Sequence, residues 1–383
     1  MLFALLAVYF EIGAERGFEI AERDDMESAM SNELLLVGSV PLETVEEVFR
    51  NFAAPLASML PCIPDGEVGD RQYWVDGVAY RVFNGHPQLE TLSRPAPDDG
   101  VERWRPRSLK DEWAFRIKPG VKEVKFGDPG WRLGFTKDAV NSYFIFRKLR
   151  NEGVIPKNVR FQVSLPLTYS VITPYFHDYS EYPRIIPGFE AAMRAEVAKL
   201  VEKIPPNELA IQWDAALEMG DLAGQLPYLP REGAFERNVA QVARLVPGIP
   251  ESVMLGFHLC FGTLGGWPCF EPETLSMPVS FTNAIVAAAG RRVDFVHIPT
   301  LKRTNDEFFR PLGDLKVGRT AIYLGVIHDM DDLEGFKTRL RLARKYLPQF
   351  GIAAPCGFGR EPVARLPQIR TNHLKAVEIL RGM

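Results

Sequence analysis

Hydrophobic and polar positions fall into short repeating blocks along this chain. Leu34-Leu35-Leu36-Val37-Gly38 is an apolar run stopped by Gly38-Ser39. Thr44 then stands as an N-cap with Glu47 three residues later, and an amphipathic stretch runs from Val45 until Pro55 ends or kinks it. That is a strand, a turn and a helix. Residues 61–65 make a second strand, closing in Pro64-Asp65-Gly66-Glu67. From Thr136 the rhythm is regular: helical patterns over 139–152, 187–203, 236–245, 279–289, 306–312 and 333–346 precede strand patterns over 159–164, 209–214, 253–260, 293–298, 320–327 and 352–355. A last helix over 368–381 closes the chain. The strands are apolar runs without strict alternation, as expected when both faces are buried in a parallel sheet. Eight such units predict a (β/α)8 TIM barrel, an α/β fold. The stretch from about 70 to 128 is rich in Pro, Gly and Trp and too long for an ordinary connection, so it reads as an excursion after the second strand. Its Trp74, Trp104 and Trp113, with Trp131 beyond, predict that it packs on something.

The polar residues sharpen this picture. Ser39, Asp65, Glu67, Ser164, Asp214, His258, Cys260, His328, Asp329 and Cys356 all fall at or just beyond the C-terminal ends of the expected strands. In a barrel those ends converge on one mouth, where such folds carry their chemistry. A doubly wound sheet would also place ligands at strand ends, so the pattern argues for a site more firmly than for closure. His258 and Cys260 are two apart on one strand and share a face, so both can reach one metal ion, and the distant Cys356 could close the site. Neither a Gly-x-Gly-x-x-Gly after a strand nor a Gly-x-x-x-x-Gly-Lys-Ser/Thr occurs, so no nucleotide cofactor is expected.

Composition narrows the function class. The chain has 383 residues, 46% hydrophobic and 25% charged, enough apolar material for a large core. A net charge of -4 and a pI near 6.0 give no electrostatic reason to bind nucleic acid or an anionic membrane, which leaves a small-molecule substrate. Cys62, Cys260, Cys269 and Cys356 are too scattered for a disulfide framework and point to a reducing, cytoplasmic setting. Cys62 and Cys269 read as structural, and His86, His177 and His373 belong to no constellation. The apolar run over residues 1–10 has no basic segment before it and is shorter than the ~20 residues of a membrane span. Residues 1–32 are therefore read as a tail, with Met26 or Met30 as a natural start, and 33–383 as one barrel domain. A homo-oligomer is compatible with all of this.

Leu36-Val37-Gly38-Ser39-Val40-Pro41, Gln212-Trp213-Asp214, His258-Leu259-Cys260 and Pro355-Cys356-Gly357, in that order at successive strand ends, resemble the C-terminal catalytic barrel of cobalamin-independent methionine synthase. Its superfamily includes uroporphyrinogen decarboxylase and zinc-dependent thiol alkyltransferases. The resemblance spans residues 34–383 and implies zinc ligands at His258, Cys260 and Cys356. It also implies a thiol substrate contacted by Gly38 and Ser39, with Asp214 holding its ammonium group. Three departures stand out. Pro299 occupies the place where the family has a further carboxylate ligand, Met330 falls where it has a general-acid His, and the duplicated N-terminal barrel of the full-length synthases is absent. Pro64-Asp65-Gly66-Glu67-Val68-Gly69-Asp70-Arg71 is not a motif associated with the synthases and brings Asp65, Glu67 and Arg71 to the mouth.

The expected chemistry is the alkylation of a homocysteine-like thiol, held as a thiolate by zinc. His297 is a substitute ligand, His328 or Asp329 the proton donor, and Ser39, Ser164 and Trp213 complete the substrate pocket. Two alternatives keep the same mouth: a metal-free lyase or decarboxylase using Asp65, Glu67, Asp214 and Arg71, and a non-catalytic small-molecule-binding barrel.

Overall fold

The computed structural model describes residues 33–105, 111–127, 131–263 and 266–383; the expected tail over 1–32 lies outside them. The described residues form ten strands: β1 (Leu34–Leu35), β2 (Cys62–Pro64), β3 (Leu89–Ser93), β4 (Ala114–Ile117), β5 (Arg160–Pro166), β6 (Leu209–Ala215), β7 (Met254–Leu259), β8 (Phe295–Pro299), β9 (Ala321–Gly325) and β10 (Gly351–Ala353). Eight form one parallel sheet in the order β1-β10-β9-β8-β7-β6-β5-β2, and β3 and β4 form an antiparallel pair. With helices between the strands this is the expected (β/α)8 barrel, nearly closed, its seam between β1 and β2. A backbone bond from Val40 N to Gly66 O of 2.8 Å spans the seam just beyond the strand ends. Gly66 has φ +79°, and a Cβ there would lie 2.7 Å from Val48 Cγ2, so the crossing needs glycine.

The longer helices are α1 (Phe135–Asn151), α2 (Tyr182–Lys203), α3 (Ala234–Leu245), α4 (Ser276–Ala288), α5 (Leu333–Tyr346) and α6 (Leu366–Arg381). Helix α2 starts before its expected boundary because Pro183 sits in its first turn, where a missing N–H costs nothing, and Pro187 lies inside. The Thr44–Glu47 capping box forms as expected. Beyond it the helix widens into a π-turn over Val48–Ala53 and tightens to a 3-10 turn over Ala54–Met59, so Pro55 changes the bonding pattern rather than stopping the chain.

Sequence reasoning missed the hairpin inside the excursion. Phe115 of β4 stacks on Trp113 and packs against Phe83, Tyr175 and Phe176, which anchors the excursion to the loop after β5. The apolar residues divide into a large cluster between sheet and helices and a small one inside the barrel, with Leu35, Val37, Cys62, Phe295 and Tyr323. Phe295 fills the space beside Gly256, where a Cβ would lie 2.1 Å from its ring. The barrel floor is therefore packed, and the chemistry is confined to the mouth above it.

Candidate functional site

Strand alternation decides which side chains reach the mouth. Along β6, Gln212 and Asp214 face the barrel interior, so Trp213 between them faces the helices; it is fully buried in the outer core and does not line the mouth, which corrects its expected substrate role. A polar ladder climbs the interior instead. Cys62 Sγ donates to Gln162 Oε1 (3.0 Å), Gln162 Nε2 to Gln212 Oε1 (3.1 Å), and Gln212 Nε2 to Val37 O (2.7 Å) and Asp214 Oδ1 (2.8 Å). The ladder fixes the Asp214 carboxyl at the top. In register, Asp214 stands beside His258 on β7, and His258 beside His297 on β8.

His258, Cys260 and Cys356 converge, with one ligand atom from each lying within 4.8 Å of the others. The two sulfurs are 3.4 Å apart and Cys356 Sγ is 4.0 Å from His258 Nε2. Zn–S and Zn–N bonds of roughly 2.3 and 2.05 Å in tetrahedral array would need edges of about 3.8 and 3.6 Å. The donor set and spacing fit zinc. The tautomers fit as well. His297 Nε2 lies 3.0 Å from the Ala354 carbonyl, which only accepts, so this nitrogen carries the proton. Burial pushes the His297 pKa down to about 3, so the ring is neutral and its Nδ1 accepts from His258 Nδ1, 2.8 Å away. His258 is likewise kept neutral by burial and by His297, leaving its Nε2 lone pair turned to the sulfurs. His297 is thus an orienting partner of the ligand rather than a ligand, a correction to its expected place. Without a metal, Cys260 is held well above the ordinary thiol range by its bond to Cys356 and by burial, with Gly262 N–H and Arg360 opposing.

The other side of the mouth is acidic. Asp65 accepts the Glu67 N–H at Oδ1 (2.9 Å) and Arg71 Nη1 at Oδ2 (2.7 Å). Both its oxygens are spent within the protein. Glu67 adopts φ 49°, an uncommon conformation for a residue with a side chain, and this turns its carboxyl under Gly38, where a Cβ would lie 3.4 Å from Oε1. Burial, with Asp65 adding, pushes Glu67 up to about 8, against Arg71 and Arg360. Asp214 lies well above the carboxylate range for the same reasons: burial first, then Glu67. Burial and mutual repulsion thus favour the protonated form at both carboxyls. Ser164 lines a small cavity of about 40 Å³ with Asp65, Glu67 and Arg71. Ser39 Oγ accepts from Gly359 N–H (3.2 Å), and its carbonyl takes Phe358 N–H (2.6 Å), tying β1 to the segment after β10.

His328 and Asp329 lie apart from this pair, along a cleft of about 890 Å³ that opens beside Cys356. Burial pushes His328 down to about 3. Burial opposes the lowering of Asp329, but its Arg365 bond and Lys302 overcome it and hold the carboxyl below its ordinary range. Near pH 7 His328 is a neutral ring and Asp329 a carboxylate, so neither is in its acidic form and the arrangement does not favour either as the expected donor. Pro299 and Met330 stand where the sequence put them, and Met330 is buried. Sequence reasoning missed Gln212, whose signal was its place two residues before Asp214 on the same strand face, and Arg360, whose position after Pro355-Cys356-Gly357 was the only hint.

No protein-family model and no curated protein matches the chain. Among the described residues, no helix is long and apolar enough to cross a membrane. The chain is similar to the crystal structure of the "Putative Vitamin-B12 Independent Methionine Synthase" from Listeria monocytogenes, with a TM-score of 0.52, 14% identity, and 90% of this chain and 96% of that one covered. At that identity the likeness establishes a shared barrel fold.

Proposed function

We propose that this barrel is a zinc-dependent enzyme that alkylates a small amino-acid-like thiol. The observation that carries the reading is the convergence of His258, Cys260 and Cys356, with His297 fixing the tautomer that frees His258 Nε2. When bound, zinc would supply the charge that keeps a coordinated thiol ionised at neutral pH. Three protein ligands leave room for a substrate sulfur, as catalytic sites require. The remaining roles belong to the chain. Asp214 and Glu67, both pushed up by burial, would receive the substrate's ammonium group, and Glu67 would release its proton as it enters. The Gln212 ladder holds Asp214 in place, and Gly38 keeps space open over Glu67. The cleft beside Cys356 gives a second substrate access to the thiol.

The metal-free lyase reading rests on Arg71 as a carboxylate receptor, and Arg71 is engaged by Asp65 at 2.7 Å. That favours the thiol reading. Two measurements test it: zinc content after purification without chelator, expected near one equivalent and lost in His258→Ala, and calorimetry of homocysteine binding in buffers of different ionisation heat, expected to show proton release. Protein that stays metal-free when zinc is added would overturn the reading.

A further inference from the structure

The cleft beside Cys356 has a feature that the thiol chemistry does not use. Three buried ring nitrogens on its walls have no hydrogen-bond partner: Trp267 Nε1, His328 Nε2 and His373 Nε2. A buried polar atom left unanswered costs about 1–3 kcal/mol, so three on one cleft call for an occupant that answers them. His373 settles the polarity of one. Its Nδ1 lies 2.7 Å from the Ile369 carbonyl one turn back on α6, so Nδ1 carries the hydrogen and the bare Nε2 accepts. His328 has a hydrogen bond with the Thr300 backbone, while its Nε2 has no partner. The indole offers a donor.

The rest of the wall describes the body of the ligand. His373 stands edge-on to Phe358 (ring centroids 5.5 Å), and Trp267 lies 5.5 Å from His328, so two pairs of rings line the cleft. At the rim, Arg360 bonds Thr263 Oγ1 and lies 5.4 Å over the Tyr73 ring, with Glu67 and Asp76 acting on it only through space. A volume of about 890 Å³ lies within the range of small-molecule sites.

We propose that this cleft is a binding site for an aromatic carboxylate bearing a ring hydroxyl. The hydroxyl donates to His373 Nε2 at the bottom, the ring lies against Phe358, and the carboxylate meets Arg360 at the rim. The proposal concerns binding alone and holds whether or not the thiols carry a metal. The test uses the full chain with chelator present, so its outcome is independent of the zinc reading. 4-Hydroxybenzoate is titrated by calorimetry and indole fluorescence, beside benzoate, which lacks the donor, and 4-hydroxybenzamide, which lacks the charge. Each analogue should bind at least about tenfold more weakly. His373→Phe should erase the preference for 4-hydroxybenzoate over benzoate, and Arg360→Gln the preference for it over the amide. Trp267→Phe should abolish the fluorescence change. If His373→Phe does not fold, His373→Gln, which keeps a polar acceptor, should retain part of the preference and His373→Leu none. Absence of saturable binding at millimolar probe, or preferences that survive both the His373 and the Arg360 replacement, would overturn the proposal.

Discussion

The two sides of the barrel mouth solve the same problem, polar groups held out of water, in opposite ways. On the side of β7, β8 and β10, neutral imidazoles and thiols stand in a chain of hydrogen bonds that ends where His258 Nε2 and the two sulfurs meet. On the side of β2, β5 and β6, burial and mutual repulsion push the Glu67 and Asp214 carboxyls up, and of the guanidiniums acting there Arg71 is tied to Asp65. A metal would place a cation on the first side, and an ammonium group would place one on the second. Asp214 and His258, register partners on adjacent strands, join the two. A substrate carrying both a thiol and an amine matches both needs at once.

Replacement of a soft ligand should separate the sides most sharply. His258→Ala or Cys356→Ala should remove bound zinc altogether while leaving proton uptake by the acid side unchanged, as read by metal analysis and potentiometric titration. Next in size, His297→Phe keeps a flat ring but removes the acceptor for His258 Nδ1. Zinc affinity should fall about 10–100-fold in competition with a chromophoric chelator, as for other outer-shell partners. On the acid side, Asp214→Asn should weaken homocysteine binding by at least about tenfold, since a charge-assisted bond is replaced by a neutral one. Metal content should not change. If it does, the division between the two sides is wrong.

A pH experiment sharpens the acid side further. The Glu67 carboxyl is raised from 4.5 to about 8 in the folded chain, so the folded state binds its proton more tightly than the unfolded state does. Stability from this group is therefore full below the unfolded value and is lost as pH rises through the folded one. The denaturation midpoint should fall between about pH 5 and 8, and Glu67→Gln should flatten that part of the slope. The smallest effect is expected at Asp329, half-exposed and ion-paired with Arg365: Asp329→Asn should change stability by less than about 1 kcal/mol and leave zinc unaffected.

The barrel was legible because each strand-and-helix unit carries its own signal: apolar runs such as Val159–Ser164 bounded by turn residues, and caps such as Thr44. The soft site was legible for the same reason, since His258 and Cys260 share one strand and alternation puts them on one face. What stayed hidden depends on contacts across the ring. No local pattern reveals that both nitrogens of His297 are occupied, one by Ala354 on the far side of β9, so a ligand role is what its strand position alone suggests. Trp213 was misplaced although alternation beside Asp214 could have excluded it. Asp65 looked like a substrate group, and only folding shows that Arg71 and the Glu67 backbone consume it. The hairpin of β3 and β4 was masked by its Pro and Gly content, with pairing made between segments about twenty residues apart.

The central claim is that the soft side holds a metal and the acid side does not. Anomalous scattering at the zinc edge, from crystals grown without chelator, tests it most directly. The account predicts one peak enclosed by His258 Nε2, Cys260 Sγ and Cys356 Sγ, with His297 outside the coordination shell. No peak there, or a peak among Asp65, Glu67 and Asp214, would contradict it.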